Sequence, residues 1–131
     1  MAHTPLTILV VDDDPSVMLF ITKVLATAGH RVHSSATLEK ARTILANERI
    51  DLGICDLILP GADGSDIIKE VKKADPSIYC VLISGYYNES FDNYKVLVGA
   101  NEVIGKPVTQ EMLLGIALRA AEHRRPAGSA A

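Results

Sequence analysis

Short apolar runs alternate with longer stretches of helical period along the chain. Leu6-Thr7-Ile8-Leu9-Val10-Val11 is apolar on both faces, as strands buried in a parallel sheet are. Asp14 then predicts an N-cap, with Pro15 at the first helical position. Val17, Phe20, Ile21, Val24, Leu25 and Ala28 recur at three- and four-residue spacing, which turns them inward, and Gly29 stops the helix. Arg31-Val32-His33-Ser34 reads as a short second strand. Thr37 caps a second helix with Leu38, Ala41, Ile44 and Leu45 inward.

The unit then repeats. Leu52-Gly53-Ile54-Cys55 is a strand ending at Asp56, and Pro60-Gly61-Ala62-Asp63-Gly64 is turn chemistry, with Asp63-Gly64 read as turn alone. Ile67, Ile68 and Val71 line the next helix. Pro76 separates it from a strand over Ile78-Tyr79-Cys80-Val81-Leu82-Ile83. A fourth helix is expected from about Asn88 to Val98, a fifth strand over Glu102-Val103-Ile104-Gly105, and a last helix from Thr109 to about His123 with Met112, Leu113, Ile116 and Ala120 inward. Five strand–helix units in alternation imply a doubly wound parallel sheet with helices on both faces. Such sheets bind ligands at the carboxyl ends of their strands, so the residues closing each strand become the candidates for chemistry.

Composition narrows the function classes. A chain of 131 residues is one ordinary domain, and 48% apolar with 22% charged residues is a globular balance. The net charge of −3, with no basic cluster beyond His123-Arg124-Arg125, argues against direct nucleic-acid binding. No apolar run approaches a membrane span, and the opening Met1-Ala2-His3-Thr4-Pro5 has no signal-peptide pattern, so a cytoplasmic protein without membrane insertion is expected. Cys55 and Cys80 lack metal-ligand spacing and read as buried reduced thiols. Counted from Asp56 and Ser84 as strand ends, they fall at opposite parity, which predicts opposite faces of the sheet.

The strand ends carry Asp12-Asp13-Asp14, then Asp56, then Ser84-Gly85, then Lys106-Pro107. On one sheet edge these make a shallow pocket of carboxylates, one hydroxyl and one ammonium. Adjacent carboxylates repel by about 4 kcal/mol at 4 Å and an effective dielectric near 20, so a cation is implied. A divalent ion with Lys106 balances Asp12, Asp13 and Asp56, and Mg²⁺ suits all-oxygen ligands that leave room for phosphate. A lysine and a hydroxyl beside that ion can hold phosphoryl oxygens, and an aspartate can act as nucleophile. Asp14 is assigned to the helix cap.

These motifs resemble the receiver domain of two-component response regulators, over roughly Leu6 to His123. Asp12-Asp13 match the family's acidic pair, and "ICDLILPGADG" its phosphoacceptor turn, with Asp56 as acceptor. Ser84-Gly85 match its hydroxyl and small neighbour, and Lys106-Pro107 its Lys-Pro pair. The resemblance implies a (βα)5 flavodoxin-like sheet in the order 2-1-3-4-5. It implies transfer from a histidine kinase or phosphotransfer protein to Asp56, with Mg²⁺ held by Asp13, Asp56 and the Ile58 main-chain carbonyl and Asp12 acting on it largely through bound water. Lys106 would pair with a phosphoryl oxygen, and Ser84 would swing toward the group. A downstream protein target is expected on the face of the fourth helix, fifth strand and last helix.

One departure stands out: Val103 occupies the position where the family usually has Tyr or Phe, three residues before the lysine. Tyr86 and Tyr87 directly follow the hydroxyl loop and are candidates for that signalling role. Ile58 and Tyr86, both bulky and non-acidic, sit where the family tunes attack by water, so slow autodephosphorylation is expected. The boundaries expected are an extension over 1–5, a receiver over 6–123 and a flexible tail over 124–131, in a single-domain regulator or a receiver cut from a larger protein. The alternatives are a receiver-like interaction module working without phosphorylation, and an aspartyl-nucleophile phosphohydrolase. The second is disfavoured because Asp56 has no carboxylate two residues on and no cap domain is available.

Overall fold

Every apolar run expected to form a strand does so, and their pairing places the strand ends on one edge. The computed structural model describes residues 5–85 and 99–124. Tyr86, Tyr87, the expected fourth helix and the tail from Arg125 lie outside these residues. The strands are β1 Thr7–Val11, β2 Arg31–Ser35, β3 Leu52–Asp56, β4 Ile58–Leu59, β5 Ala62–Asp63, β6 Tyr79–Ser84 and β7 Glu102–Gly105. The helices are α1 Pro15–Thr27, α2 Leu38–Asn47, α3 Gly64–Ala74 and a C-terminal helix, Gln110–Arg124.

β2, β1, β3, β6 and β7 form a parallel five-stranded sheet in that order, which is the expected 2-1-3-4-5 arrangement of its core strands. Alternate residues feed two apolar layers. Ile8, Val10, Leu52, Ile54, Val81 and Ile83 meet Ile21 and Leu25 of α1 and Leu113, Ile116 and Ala120 of the C-terminal helix. Leu9, Val11, Cys55, Cys80 and Leu82 meet Ala41 of α2 and Ile67, Ile68 and Val71 of α3. Each fully buried Ile or Leu contributes about 1.5–3 kcal/mol by leaving water, so the double-sided apolar runs are the source of the fold's stability. Among the described residues no helix is long and apolar enough to cross a membrane.

Local chemistry sets the helix starts. Asp14 caps α1 by accepting the Ser16 N–H at 2.9 Å, and Thr37 caps α2 by accepting the Lys40 N–H at 3.1 Å. After α1 the chain reverses at Gly29, whose φ of 98° is a left-handed conformation that L side chains resist.

Three expectations change. Phe20 does not turn inward; it is 42% exposed, because α1 packs its Ile21 and Leu25 side against the sheet. Asp63-Gly64 is more than turn: β4 and β5 form a small antiparallel ladder, and Asp63 then starts α3 in a reciprocal capping box with Asp66. Cys55 and Cys80 share one face. The register pairs Asp56 with Ile83 and Cys80 with Gly53, so counting from Asp56 and Ser84 as equivalent ends misplaces the parity by one. Both thiols are free and buried, and burial pushes Cys55 well up and Cys80 up to about 11.

Candidate functional site

The carboxyl ends of β1, β3, β6 and β7 converge. Asp12, just beyond β1, is 1% exposed. Its N–H donates to the Ser35 carbonyl at 3.0 Å, and its Oδ1 accepts the Asp14 N–H at 2.8 Å. Among the described residues Asp12 Oδ2 has no hydrogen-bond partner, although it is buried. Burial raises the Asp12 carboxyl above its ordinary value against the pull of the Asp14 N–H; the charges of Asp56 and Asp13 raise it further and Lys106 opposes them. Asp13 is exposed at the rim.

Asp56 is the last residue of β3 and is buried. Its Oδ1 accepts the Ile58 N–H at 3.1 Å, and its Oδ2 lies 3.3 Å from Lys106 Nζ. One carboxylate oxygen each from Asp12, Asp13 and Asp56 lie within 4.8 Å of one another. Ser84 closes β6 and is 3% exposed, and its carbonyl accepts the Lys106 N–H at 2.9 Å, which ties the hydroxyl-bearing strand to the lysine-bearing loop. The Lys106–Pro107 peptide is cis. Ile58 opens β4 with its side chain 64% exposed.

Five residues singled out in the sequence (Asp12, Asp13, Asp56, Ser84 and Lys106) thus share one sheet edge, with Ile58 beside them. Asp14 is separate, as its capping bonds require. Val103, facing Leu82 in the register, is half-buried against the layer under α2 and α3. The surface next to Lys106 went unread in the sequence. Ser16, Val17, Phe20, Pro107 and Val108 line a largely apolar cleft of about 520 Å³ that reaches the lysine. The signal available for it was an aromatic residue in the second turn of a helix that starts just after the acidic pair.

Chemically, three clustered carboxylates and a single ammonium suit a hard divalent cation and a phosphoryl group. The donor set fits such an ion because the buried Asp12 Oδ2 has no other partner among the described residues.

Comparison with known proteins points the same way. Residues 8–117 match the model of the response regulator receiver domain. The DNA-binding transcriptional regulator NtrC of Azospirillum brasilense is 31% identical over 121 residues, covering 92% of this chain and 25% of that protein. A cyclic di-GMP phosphodiesterase of Thermotoga maritima is 29% identical over 108 residues, covering 82% of this chain and 29% of that protein. The chain therefore spans under a third of the length of these two relatives. The crystal structure of a CheY-like response regulator receiver domain protein from Methanospirillum hungatei JF-1 superposes with a TM-score of 0.82 at 26% identity, covering 92% of this chain and 97% of that one. With the sheet order, the converging strand ends and this match in agreement, the chain belongs to the response regulator receiver domain family of two-component systems.

Proposed function

We propose that the chain is a phosphorylation-dependent signalling receiver in which Asp56 accepts a phosphoryl group from a phosphohistidine, carried by a sensor histidine kinase or a phosphotransfer protein. The observation that carries this reading is the position of the Asp56 carboxylate, 3.3 Å from Lys106 Nζ on one side and within 4.8 Å of Asp12 and Asp13 oxygens on the other. An Asp56 oxygen forms the bond to phosphorus as the P–N bond to the donor imidazole breaks, its electron pair staying on nitrogen. Lys106 holds a phosphoryl oxygen, and the Ser84 hydroxyl turns toward the group. Asp12, Asp13, Asp56 and the Ile58 carbonyl would hold Mg²⁺, which when bound neutralises charge on the phosphoryl oxygens.

The donor's imidazole has to come over Asp56, and the apolar cleft of Phe20, Pro107 and Val108 is continuous with Lys106, so it is the seat for the donor. The chain catalyses only its own phosphorylation and a slow autodephosphorylation, the Ile58 side chain limiting access of water. The new charge of roughly −1.5 to −2 biases the Ser84 loop and with it the binding of a downstream protein at β7 and the C-terminal helix. The receiver unit is taken as residues 6–123. Two buried free thiols suit a reducing, cytoplasmic setting.

The test is incubation with Mg²⁺ and a small phosphodonor, read by intact mass. Wild type gains one phosphoryl group, and Asp56→Asn gains none. No gain on a wild-type protein that binds Mg²⁺ would turn the reading toward an interaction module, and turnover of many phosphate esters toward a hydrolase.

A further inference from the structure

Ser35 ends β2 with a polar side chain that is only 1% exposed. Its hydroxyl donates to the Thr37 carbonyl at 2.5 Å and accepts the Thr37 N–H at 3.2 Å, forming the turn that leads from β2 into α2. Thr37 in turn caps α2. The Ser35 carbonyl accepts the Asp12 N–H, one step beyond the last register pair of β1 and β2, Val11 with Ser35. Asp12 has little freedom to compensate for a shift there. Its Oδ1 is occupied by the Asp14 N–H, and its Oδ2 is buried without a partner among the described residues.

We infer that Ser35 is a positioning residue for the acidic pocket: by pinning the turn at the end of β2 it holds the main chain of Asp12, and so sets where that carboxylate is offered to a divalent cation. The inference rests on the proposed Mg²⁺ site and adds a residue that touches neither the ion nor the phosphoryl group. Mg²⁺ demands near-ideal octahedral distances of about 2.0–2.1 Å, so a small displacement of one carboxylate is felt in affinity. The fold is affected less. Thr37 is exposed, and water can take over its N–H once the hydroxyl is gone.

Calorimetric titration of the full chain with Mg²⁺ separates these effects. Ser35→Ala should weaken Mg²⁺ binding about tenfold, at the low end of what outer-shell partners contribute, and shift the Asp12 amide resonance in metal-free protein. Ser35→Thr keeps the hydroxyl and should bind near the wild-type value. Ile116→Val, a change in the apolar layer under the C-terminal helix, lowers the melting temperature and leaves Mg²⁺ affinity unchanged. Wild-type affinity in Ser35→Ala, or an equal loss in Ile116→Val, overturns the inference and leaves the metal site standing. If wild type does not bind Mg²⁺, the metal site and the inference fall together.

Discussion

The two ends of the sheet treat charge in opposite ways. At the amino ends of the strands, polar and charged groups among the described residues pair with one another. Glu102 accepts two bonds from Arg119 at 2.7 and 2.9 Å and one from the Tyr79 hydroxyl, joining β6, β7 and the C-terminal helix. There too, His30 Nδ1 accepts the Leu6 N–H, Asp51 Oδ2 the Thr7 N–H, and Lys72 Nζ donates to the Ile78 carbonyl. At the carboxyl ends, among the described residues, three carboxylates cluster with Lys106 paired to Asp56, and the buried Asp12 Oδ2 has no hydrogen-bond partner. Buried polar groups are normally bonded, so an unbonded anion among like charges marks a place built for something that arrives. One end holds the fold together, and the other is held in readiness by it.

The largest effect that would break this comparison is expected at the acidic end. Asp13→Asn or Asp12→Asn should weaken Mg²⁺ binding by more than the about 10–100-fold that losing an outer-shell partner costs. Yet neither should lower the melting temperature in chelator, because removing one charge relieves repulsion from the other two. Calorimetric titration and thermal unfolding measured side by side check both halves. A clear loss of metal-free stability would mean that the carboxylates are structural and that the contrast between the ends is false.

Much of this was legible in the sequence, and the misses have physical causes. Strands apolar on both faces and helices with a 3.6-residue period announce themselves, so the sheet and the residues closing its strands were readable from Leu6 to Lys106. Register was not readable. Asp56 and Ser84 look like equivalent strand ends, but hydrogen bonding pairs Asp56 with Ile83, and that single step puts Cys55 and Cys80 on one face. Asp63 reads as turn chemistry because aspartate suits turns and caps alike; only the answering Asp66 side chain decides for the cap. Phe20 obeys the inward spacing of α1 yet faces solvent, since periodicity fixes a stripe but not its width. The Tyr79–Glu102–Arg119 cluster joins residues distant in sequence and had no motif to reveal it.

That cluster supplies the next test. Glu102→Ala takes the acceptor from the partly buried Tyr79 hydroxyl and the bidentate partner from Arg119. It should cost about 1–3 kcal/mol, a fall of roughly 4–10 °C in melting temperature. Mg²⁺ affinity should stay at the wild-type value, since the substitution lies at the other end of the sheet. A simultaneous loss of Mg²⁺ binding would show that the two ends are coupled and would undo the division of labour.

The smallest effect is the most specific. Burial, with the Glu102 acceptor and its charge next, pushes the Tyr79 phenol from its ordinary 10 up to about 12, with Arg119 opposing. The raised value means that the folded chain keeps this proton where the unfolded chain has already lost it. Its contribution to stability is therefore complete below pH 10 and is lost as pH rises through the interval to about 12. Denaturant unfolding across that interval should fall less steeply with pH in Tyr79→Phe than in wild type. Absorbance titration of Glu102→Gln should bring the phenol part of the way back toward 10, because burial, the larger cause, remains. Asp13→Asn, at the acidic end, should leave the alkaline limb unchanged. If it moved that limb as much as Glu102→Gln does, the field of the acidic pocket would reach across the sheet, and the amino end could not be treated as a closed and satisfied set of partners.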